Sequence, residues 1–454
     1  MEVTRRSATA GPTQSAACER CHRSRERCTY DANNHSCLRC LRFGIICESR
    51  KWKRMGRKPR SVQRSPVTGL RYSVHVYSLD PVPKVPERIA ESILSEEGFF
   101  NATSHFMIGR TFAEGFRRVV LQLFAYSPEV LGDGCQALAE SMRTQRSSSS
   151  DPFLSHHLKL GTRCLRSFIA MSATAKSMQD AAVLTFLGQI LLAYNALLPL
   201  GSSTRIVTRG SLLASRSWYP VMQNLPVLDN ITVVPVLIDT IDCLIRREVP
   251  IVRWQETERV IVDRFAGVSS SLLPLMYDVC IISHRAKEPT FTSALNYQYC
   301  QIEDSIVRWQ PQVTSEISEK YTKNELDLMI AQARSYRLAV LLIIHRLRYS
   351  LGVEDNIGCR YANRILEELT PLLQYPSEKA ATGFGIDFPL LVAAIEIPER
   401  GMELLTRFER FRYRTRQAED MLNLIGKIQR ARLSGYEGLW FDLIGDWMTG
   451  DILP

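Results

Sequence analysis

The amino-acid sequence predicts a mostly α-helical protein that consists of a small cysteine-rich module followed by a large all-helical domain. Three observations lead to this fold class. Six of the twelve cysteines fall within residues 18–47, and all of the net positive charge lies in residues 1–71. From about residue 76 onward, apolar residues recur at helical spacing with few alternating strand patterns. The hydrophobic content of 45% is sufficient for a sizeable core.

The expected organisation has five parts, because 454 residues are too many for one small unit. In chain order these are a disordered amino terminus (1–17), a metal-binding module (18–47), a basic linker (48–75), a helical domain (76–435) with a loop at 143–152, and an acidic, aromatic segment (436–454).

The charge of the chain is concentrated at its amino end. Of the 57 Lys and Arg residues, 17 lie in residues 1–71, together with 5 of the 47 Asp and Glu residues. This arm therefore has a net charge of +12 and the remainder of the chain −2. A neutral body with a basic arm predicts a polyanionic partner, either nucleic acid or an anionic membrane surface.

The sequence indicates an intracellular protein without a membrane span. The first fifteen residues are polar and lack the apolar core of a signal peptide. In a reducing compartment, clustered cysteines more often bind metal than form disulfides. The longest apolar run covers residues 183–200. Because Gln189, Asn195 and Pro199 interrupt this run, a buried helix is favoured over a membrane span.

The strongest signal is the spacing C-x2-C-x6-C-x8-C-x2-C-x6-C, in which an eight-residue loop joins two nearly identical halves. Each C-x2-C pair places two thiolates at one metal, and the following cysteine closes the site. Two tetrahedral zinc ions need eight coordination positions, so either two of the six sulfurs bridge both ions or other ligands enter. His22 and His35 are alternative ligands, although the cysteine set is complete without them. The six cysteines are Cys18, Cys21, Cys28, Cys37, Cys40 and Cys47.

These spacings resemble the fungal zinc binuclear cluster family, Zn2Cys6. The resemblance implies that Cys18 and Cys37 bridge two Zn2+ ions in a transcription factor that binds double-stranded DNA. Because a module of about thirty residues cannot form its own apolar core, zinc is expected to supply its folding energy. Residues 333–347 and 388–396 are similar to parts of the helical regulatory domain that accompanies many such clusters.

The residues between Cys21 and Cys28 carry the expected DNA contacts. The resemblance implies that a helix here enters the major groove, with Arg25 at the base-reading position and CGG-type triplets as the site. At Arg25 and at the preceding Ser24 the family more often has lysine. The other arginines near this helix, which are expected to contact phosphates, are Arg20, Arg23 and Arg27.

A basic linker follows the cluster. Residues 50–60 contain seven Lys and Arg residues, and Gly56 and Pro59 argue against a continuous helix. Arg57 and Lys58 loosely resemble an AT-hook, in which a basic strand lies in the minor groove of DNA. The same residues fit a nuclear-import signal, so both uses stay open and the nucleus is the expected location.

The large domain is predicted to be helical from its apolar periodicity. Composition predicts loops at residues 143–152 and 375–387. Asp242 and Arg246, four residues apart, predict an ion pair on one helix face that also accounts for Asp239. The clearest predicted helices cover residues 181–198, 231–245, 271–283, 326–349, 361–373 and 418–433.

The sequence favours a protein that is not an enzyme. It contains no phosphate-binding glycine loop, nucleophile elbow or paired histidine–carboxylate metal spacing. His345 lies in an apolar segment and is expected to be a hydrogen-bonded core histidine. The scattered cysteines are expected to be buried structural thiols. They are Cys135, Cys164, Cys243, Cys280, Cys300 and Cys359.

Residues 436–454 allow two interpretations. They combine acidic residues with large apolar side chains and contain no basic residue, as segments that bind transcription coactivators do. Against this, their apolar residues have the i, i+3, i+4, i+7 spacing of a final core helix, which is the favoured interpretation. The residues of this stripe are Trp440, Leu443, Ile444 and Trp447.

The predicted function is regulation of RNA polymerase II genes by sequence-specific DNA binding in the nucleus. The resemblance implies an activator of a metabolic or secondary-metabolite gene cluster. Residues 87–100 contain too few apolar heptad positions for a coiled coil, so monomer and homodimer both stay open. The alternative function is a zinc-stabilised protein-interaction module whose arginines form a solvated face and which does not bind DNA.

Overall fold

Helices account for nearly all of the regular structure in the part of the chain that the computed structural model describes. The chain divides into two units, Met1–Leu79 and Asp80–Pro454. A cysteine cluster in the first unit and helices throughout the described part of the second confirm the predicted fold class. The described residues are 17–18, 21, 23–24, 27–30, 36–43, 47, 98–104, 106–146, 154–198, 204–287, 292–374, 385–407 and 415–444.

Helix α1, Leu38–Arg42, lies in the first unit. The second unit contains α2 (Phe99–Ser104), α3 (Phe112–Tyr126), α4 (Pro128–Arg146), α5 (Leu154–Thr174), α6 (Met178–Leu197), α7 (Thr204–Ser215), α8 (Tyr219–Met222), α9 (Asp229–Arg246), α10 (Leu273–Arg285), α11 (Thr292–Arg308), α12 (Ser315–Lys320), α13 (Lys323–Arg348), α14 (Asp355–Leu369), α15 (Asp387–Glu396), α16 (Pro398–Arg407) and α17 (Thr415–Leu433). Short 3-10 helices cover Pro226–Leu228, Ser269–Leu272, Thr370–Gln374 and Trp440–Leu443. Helices that follow one another in sequence often pack together, as α4 and α5, α6 and α7, and α13 and α14 do.

Each of the six predicted helices coincides with a helix of the structure, but several ends are corrected. Helix α14 ends at Leu369, and the predicted residues beyond it form the 3-10 helix Thr370–Gln374. Pro371 explains this change, because proline cannot donate a backbone hydrogen bond inside an α-helix. The predicted loop at 143–152 begins too early, since α4 continues to Arg146. The rest of that loop and residues 375–384 lie outside the described residues.

The core of the second unit includes two long apolar helices. By length and composition alone, α6 and α13 are each able to cross a membrane, but 78% of the apolar stretch of each helix is buried within the domain. Helix α6 contains residues 183–197 of the longest apolar run, and nearly all of them are buried. The prediction of a buried helix is therefore confirmed for this segment. A helix that is apolar on all sides is typical of a domain core.

The polar residues on α9 have partners that the sequence predicted only in part. Asp242 lies 2.7 Å from Arg246, which confirms the predicted ion pair. Asp239 has other partners: its carboxylate lies 2.8 Å from Arg209 on α7 and accepts the backbone N–H of Ile251 at 2.6 Å. The prediction that the same ion pair accounts for Asp239 is therefore wrong. Residue spacing along one helix cannot indicate a partner on a neighbouring helix.

The predicted core histidine and core thiols are mostly confirmed. His345 Nε2 lies 3.1 Å from the carbonyl oxygen of Glu354, and burial lowers the pKa of His345, which favours the neutral ring. The thiols of Cys135, Cys164, Cys243 and Cys280 are buried. The prediction is wrong for Cys300, which is exposed on the solvent side of α11, and Cys359 is only half-buried.

The two segments that resemble a regulatory domain meet at a buried ion pair. Nε and Nη2 of Arg346, in α13, each lie 2.6 Å from a carboxylate oxygen of Glu396, in α15. The two side chains are only 1% and 2% exposed. Arg346 also donates hydrogen bonds to Asp355 of α14 and to the carbonyl oxygens of Ser350 and Val353. One side chain thus connects three helices.

The carboxyl-terminal apolar stripe packs into the core as far as the structure describes it. Trp440, Phe441 and Ile444 are buried, and the Trp440 and Phe441 rings stack with centroids 4.0 Å apart. The stripe forms the 3-10 helix Trp440–Leu443 and not the predicted α-helix. Residues 445–454, which include Trp447, lie outside the described residues. A coactivator-binding role for this segment stays a prediction.

Asp263 is a buried carboxylate with an incomplete set of hydrogen-bond donors. Its Oδ1 accepts the backbone N–H groups of Phe265 and Ala266 at 2.8 Å. Its Oδ2 has no hydrogen-bond partner among the described residues. Burial raises the pKa of Asp263 to about 6, and the neighbouring Arg264 opposes this shift only in part.

We expect Asp263→Asn to stabilise the helical domain at neutral pH. The pKa of Asp263 is higher in the folded than in the unfolded protein, so the folded state favours the protonated carboxyl. This contribution to the free energy of unfolding is complete below the unfolded pKa and is lost as pH rises through about 6. The variant should therefore raise the free energy of unfolding by roughly 1–3 kcal/mol at about pH 7.5 and have little effect at about pH 4. Urea unfolding at both pH values measures the difference, with the exposed Asp304→Asn as control. A variant less stable than the wild type at neutral pH contradicts this interpretation.

Candidate metal centre

The two halves of the cysteine cluster have equivalent local structures. In each half, the backbone N–H of the second cysteine lies 3.4 Å from the sulfur of the first. In each half, the N–H of the first cysteine lies 3.3 Å from the sulfur of the third. The internal repeat in the sequence is therefore also a repeat in three dimensions. The counterparts, nineteen residues apart, are Cys18 and Cys37, Cys21 and Cys40, and Cys28 and Cys47.

Four sulfurs lie together in the buried centre of the module. They belong to Cys18, Cys21, Cys37 and Cys40, and all lie within 4.8 Å of one another. Three of the sulfur–sulfur distances are 3.7 to 3.8 Å. A tetrahedral zinc ion bound to sulfur at about 2.3 Å has sulfur–sulfur edges of about 3.8 Å. These three distances therefore fit pairs of sulfurs that share a tetrahedral metal ion.

The short sulfur–sulfur distances cross from one half to the other. The sulfur of Cys18 lies 3.8 Å from those of Cys37 and Cys40, and the sulfur of Cys21 lies 3.7 Å from that of Cys37. Cys18 and Cys37 thus each have a neighbouring sulfur that belongs to the opposite half. A sulfur that bridges two metal ions must lie close to a sulfur of the opposite half.

Local backbone structure positions these sulfurs. Cys37 is the N-cap of α1, and its sulfur accepts the N–H of Cys40. An isolated antiparallel bridge joins Tyr30 to Cys37. Next to it, the N–H of Leu38 donates to the carbonyl oxygen of Thr29 at 2.9 Å. The end of the first half is thereby held against the start of the second.

Hydrogen bonds favour the thiolate form at Cys18 and Cys37. Burial by itself would raise the pKa of Cys37, but the N–H of Cys40 and the neighbouring thiols outweigh burial and lower the pKa to about 6. The pKa of Cys18 is lowered against the effect of burial in the same way, chiefly by the N–H of Cys21. By contrast, burial raises the pKa of Cys40 to about 12. Because zinc binds thiolates, the two sulfurs expected to bridge are well suited to a metal.

Tyr30 is a residue near the cluster that the sequence analysis missed. Its side chain is half-buried against the cysteines, and its hydroxyl oxygen lies 4.0 Å from the sulfur of Cys47. The only signal available in the sequence was its position two residues after Cys28. Cysteine spacing does not report which other side chains approach a sulfur.

The expected DNA contacts lie only partly within the described residues. Arg23, Ser24 and Arg27 are exposed, and the Ser24 hydroxyl donates to the carbonyl oxygen of Cys21 at 3.4 Å. The base-reading role of Arg25 stays a prediction. Four of the expected DNA contacts lie outside the described residues: Arg20, Arg25, Arg57 and Lys58. The alternative metal ligands His22 and His35 also lie outside them.

The second half exposes apolar side chains. Leu38, Leu41 and Phe43 are 49%, 48% and 61% exposed. The guanidinium carbon of Arg39 lies 5.8 Å from the centroid of the Phe43 ring. Phe43 occupies the position equivalent to Ser24 in the first half. The two halves thus share a scaffold and present surfaces of different chemistry.

Comparison with known proteins concerns mainly the second unit. A family model described as "Fungal specific transcription factor domain" matches residues 126–449, well over half of the chain. No curated protein and no solved structure matches the chain. The matched residues include the buried pair Arg346 and Glu396. The match confirms the resemblance that was inferred from residues 333–347 and 388–396.

Proposed function

Because the chain belongs to the family defined by the fungal specific transcription factor domain, we propose that it regulates transcription by binding DNA through a two-zinc module at residues 18–47. The family membership supports the role of a transcription regulator. The observation that carries the DNA-binding proposal is the group of buried sulfurs at tetrahedral spacing, beside the exposed Arg23 and Arg27.

The proposed metal content is two Zn2+ ions. Each ion would be held by the three cysteines of one half together with the bridging cysteine of the other half, Cys18 or Cys37. Four sulfur ligands would leave no open coordination position, so the metal would have a structural role. The contacts of both bridging candidates with the opposite half support this ligand set.

The proposed DNA site is a CGG-type triplet read in the major groove. Arg25 donates two hydrogen bonds to O6 and N7 of a guanine, and Ser24 lies beside it. Arg20, Arg23 and Arg27 contact phosphates, while Arg57 and Lys58 lie along the backbone or the minor groove. The net charge of +12 in residues 1–71 supports this assignment.

The proposed site of action is the nucleus, at promoters of RNA polymerase II genes. The protein acts there as an activator of a metabolic or secondary-metabolite gene cluster and recruits transcription coactivators. Any homodimer forms through the helical domain, because residues 87–100 contain too few heptad positions for a coiled coil.

A second candidate function is a zinc-stabilised module that binds partner proteins and not DNA. The exposed Leu38, Leu41 and Phe43 favour it, because exposed apolar side chains often mark protein contacts. The two functions differ in their salt dependence. Binding to a CGG duplex that weakens steeply as salt rises supports the first function, and no duplex binding at low salt supports the second.

We expect Arg25→Ala to weaken binding to a CGG duplex by about 10- to 100-fold and to remove the preference for CGG over a scrambled duplex. The reason is that one bidentate arginine–guanine contact discriminates by about 1–3 kcal/mol. Fluorescence anisotropy with the zinc-loaded full-length protein measures both affinities over a range of salt concentrations.

Arg23→Ala is the matched control for this experiment. A phosphate contact carries no sequence information, so this variant should weaken binding to both duplexes to a similar extent and reduce the salt dependence by about one phosphate contact. If Arg25→Ala instead weakens both duplexes equally and keeps the CGG preference, Arg25 does not read bases.

A further inference from the structure

Cys28 and Cys47 are counterparts that complete the two halves of the cluster. Both are partly exposed, whereas the other four cysteines of the module are buried. Each of the two sulfurs accepts one backbone N–H at 3.3 Å, from Cys18 and from Cys37 respectively. In their backbone surroundings the two sulfurs are therefore equivalent, so each one is a control for the other.

Tyr30 makes the two sulfurs different. Its hydroxyl lies 4.0 Å from the sulfur of Cys47. The same hydroxyl also interacts with the sulfur of Cys28, but less strongly than with that of Cys47. The counterpart of Tyr30 in the second half is Ser49, which lies outside the described residues. A tyrosine of the first half therefore reaches the last cysteine of the second.

The backbone holds Tyr30 in this place. The antiparallel bridge to Cys37, which includes the hydrogen bond from Leu38 N–H to the carbonyl oxygen of Thr29, fixes the main chain at Tyr30. The half-buried ring packs against the cysteines. The direction of the hydroxyl thus follows from contacts that do not involve the hydroxyl itself, and removing the oxygen leaves them in place.

We infer that Tyr30 is a positioning residue for the second metal ion, and that its hydroxyl donates a hydrogen bond to the metal-bound thiolate of Cys47. A hydrogen bond to a ligand fixes the orientation of that ligand and withdraws electron density from it. The sulfur of Cys47 is consequently less nucleophilic than that of Cys28, and the second half keeps its ion longer than the first. The inference rests on the proposed zinc content and not on DNA binding.

Alkylation of the zinc-loaded full-length protein tests this inference. Limiting N-ethylmaleimide is added, and the modification of each cysteine over time is measured by peptide mass spectrometry. In the wild type, Cys28 should react faster than Cys47. In Tyr30→Phe, the rate at Cys47 should rise on the order of tenfold, the lower end of the effect of losing such a hydrogen bond, while the rate at Cys28 should rise clearly less.

Zinc release to a chromogenic chelator is the second measurement. Wild-type protein should release its ions in a fast and a slow phase, and Tyr30→Phe should accelerate mainly the slow phase. Tyr297→Phe, which alters an exposed tyrosine of α11, is the control and should change neither reading. Equal rates at Cys28 and Cys47 in the wild type, or an unchanged Cys47 in Tyr30→Phe, overturn the inference. Protein that binds no zinc at all overturns instead the proposed metal centre.

Discussion

Replacing Cys37 by serine is expected to remove both metal ions and to weaken binding to a CGG duplex by at least about 100-fold. The sulfur of Cys37 lies 3.7–3.8 Å from the sulfurs of Cys18 and Cys21, and it also caps α1 through the N–H of Cys40. The variant therefore disturbs both halves at once. Structural zinc contributes about 10–16 kcal/mol of folding free energy in small zinc domains, so a module without metal should be unfolded.

Native mass spectrometry counts the bound ions, and anisotropy measures duplex binding. Cys47→Ser is the matched comparison, because it removes a ligand that belongs to one ion only. We expect Cys47→Ser to lose one ion and Cys37→Ser to lose two. Cys300→Ser alters an exposed thiol of the helical domain and should keep the full metal content. If Cys37→Ser retains as much zinc as Cys47→Ser, the sulfur of Cys37 does not bridge.

Arg346→Met is expected to destabilise the helical domain by about 3–5 kcal/mol, the usual cost of removing one partner of a buried ion pair. The Glu396 carboxylate is 2% exposed and would remain in the core without its counter-charge. The carbonyl oxygens of Ser350 and Val353 would each lose one hydrogen-bond donor as well.

Urea unfolding followed by tryptophan fluorescence measures this loss of stability. The double variant Arg346→Met with Glu396→Leu should recover part of it, because an apolar pair leaves no unpaired charge in the core. Arg407→Met is the control: its partner Glu403 is exposed, and such a pair contributes at most about 1 kcal/mol. A loss of similar size in Arg407→Met and Arg346→Met would falsify the assignment of the buried pair as a main support of the domain.

The two units were predicted from different patterns in the sequence. The six candidate ligands and the two equivalent halves were predicted from spacing, and the bridging pair was implied by the family resemblance. Four of the six sulfurs lie together in the structure. The helices α6, α9 and α13 were predicted from apolar periodicity. In each case the information lies in residues that are close in sequence, because a C-x2-C turn or a helical repeat depends on neighbours within a few positions.

Only the tertiary structure identified the contacts between distant residues. Arg346 and Glu396 are fifty residues apart, and the sequence around neither residue indicates that the two side chains form an ion pair. Asp239 pairs with Arg209 across two helices, and Tyr30 reaches Cys47 across the loop that joins the two halves. The amino-acid sequence by itself determined the helical class and identified the candidate metal ligands, since both follow from local spacing. Which side chains meet across helices depends on how those helices pack, and packing is a property of the whole folded domain.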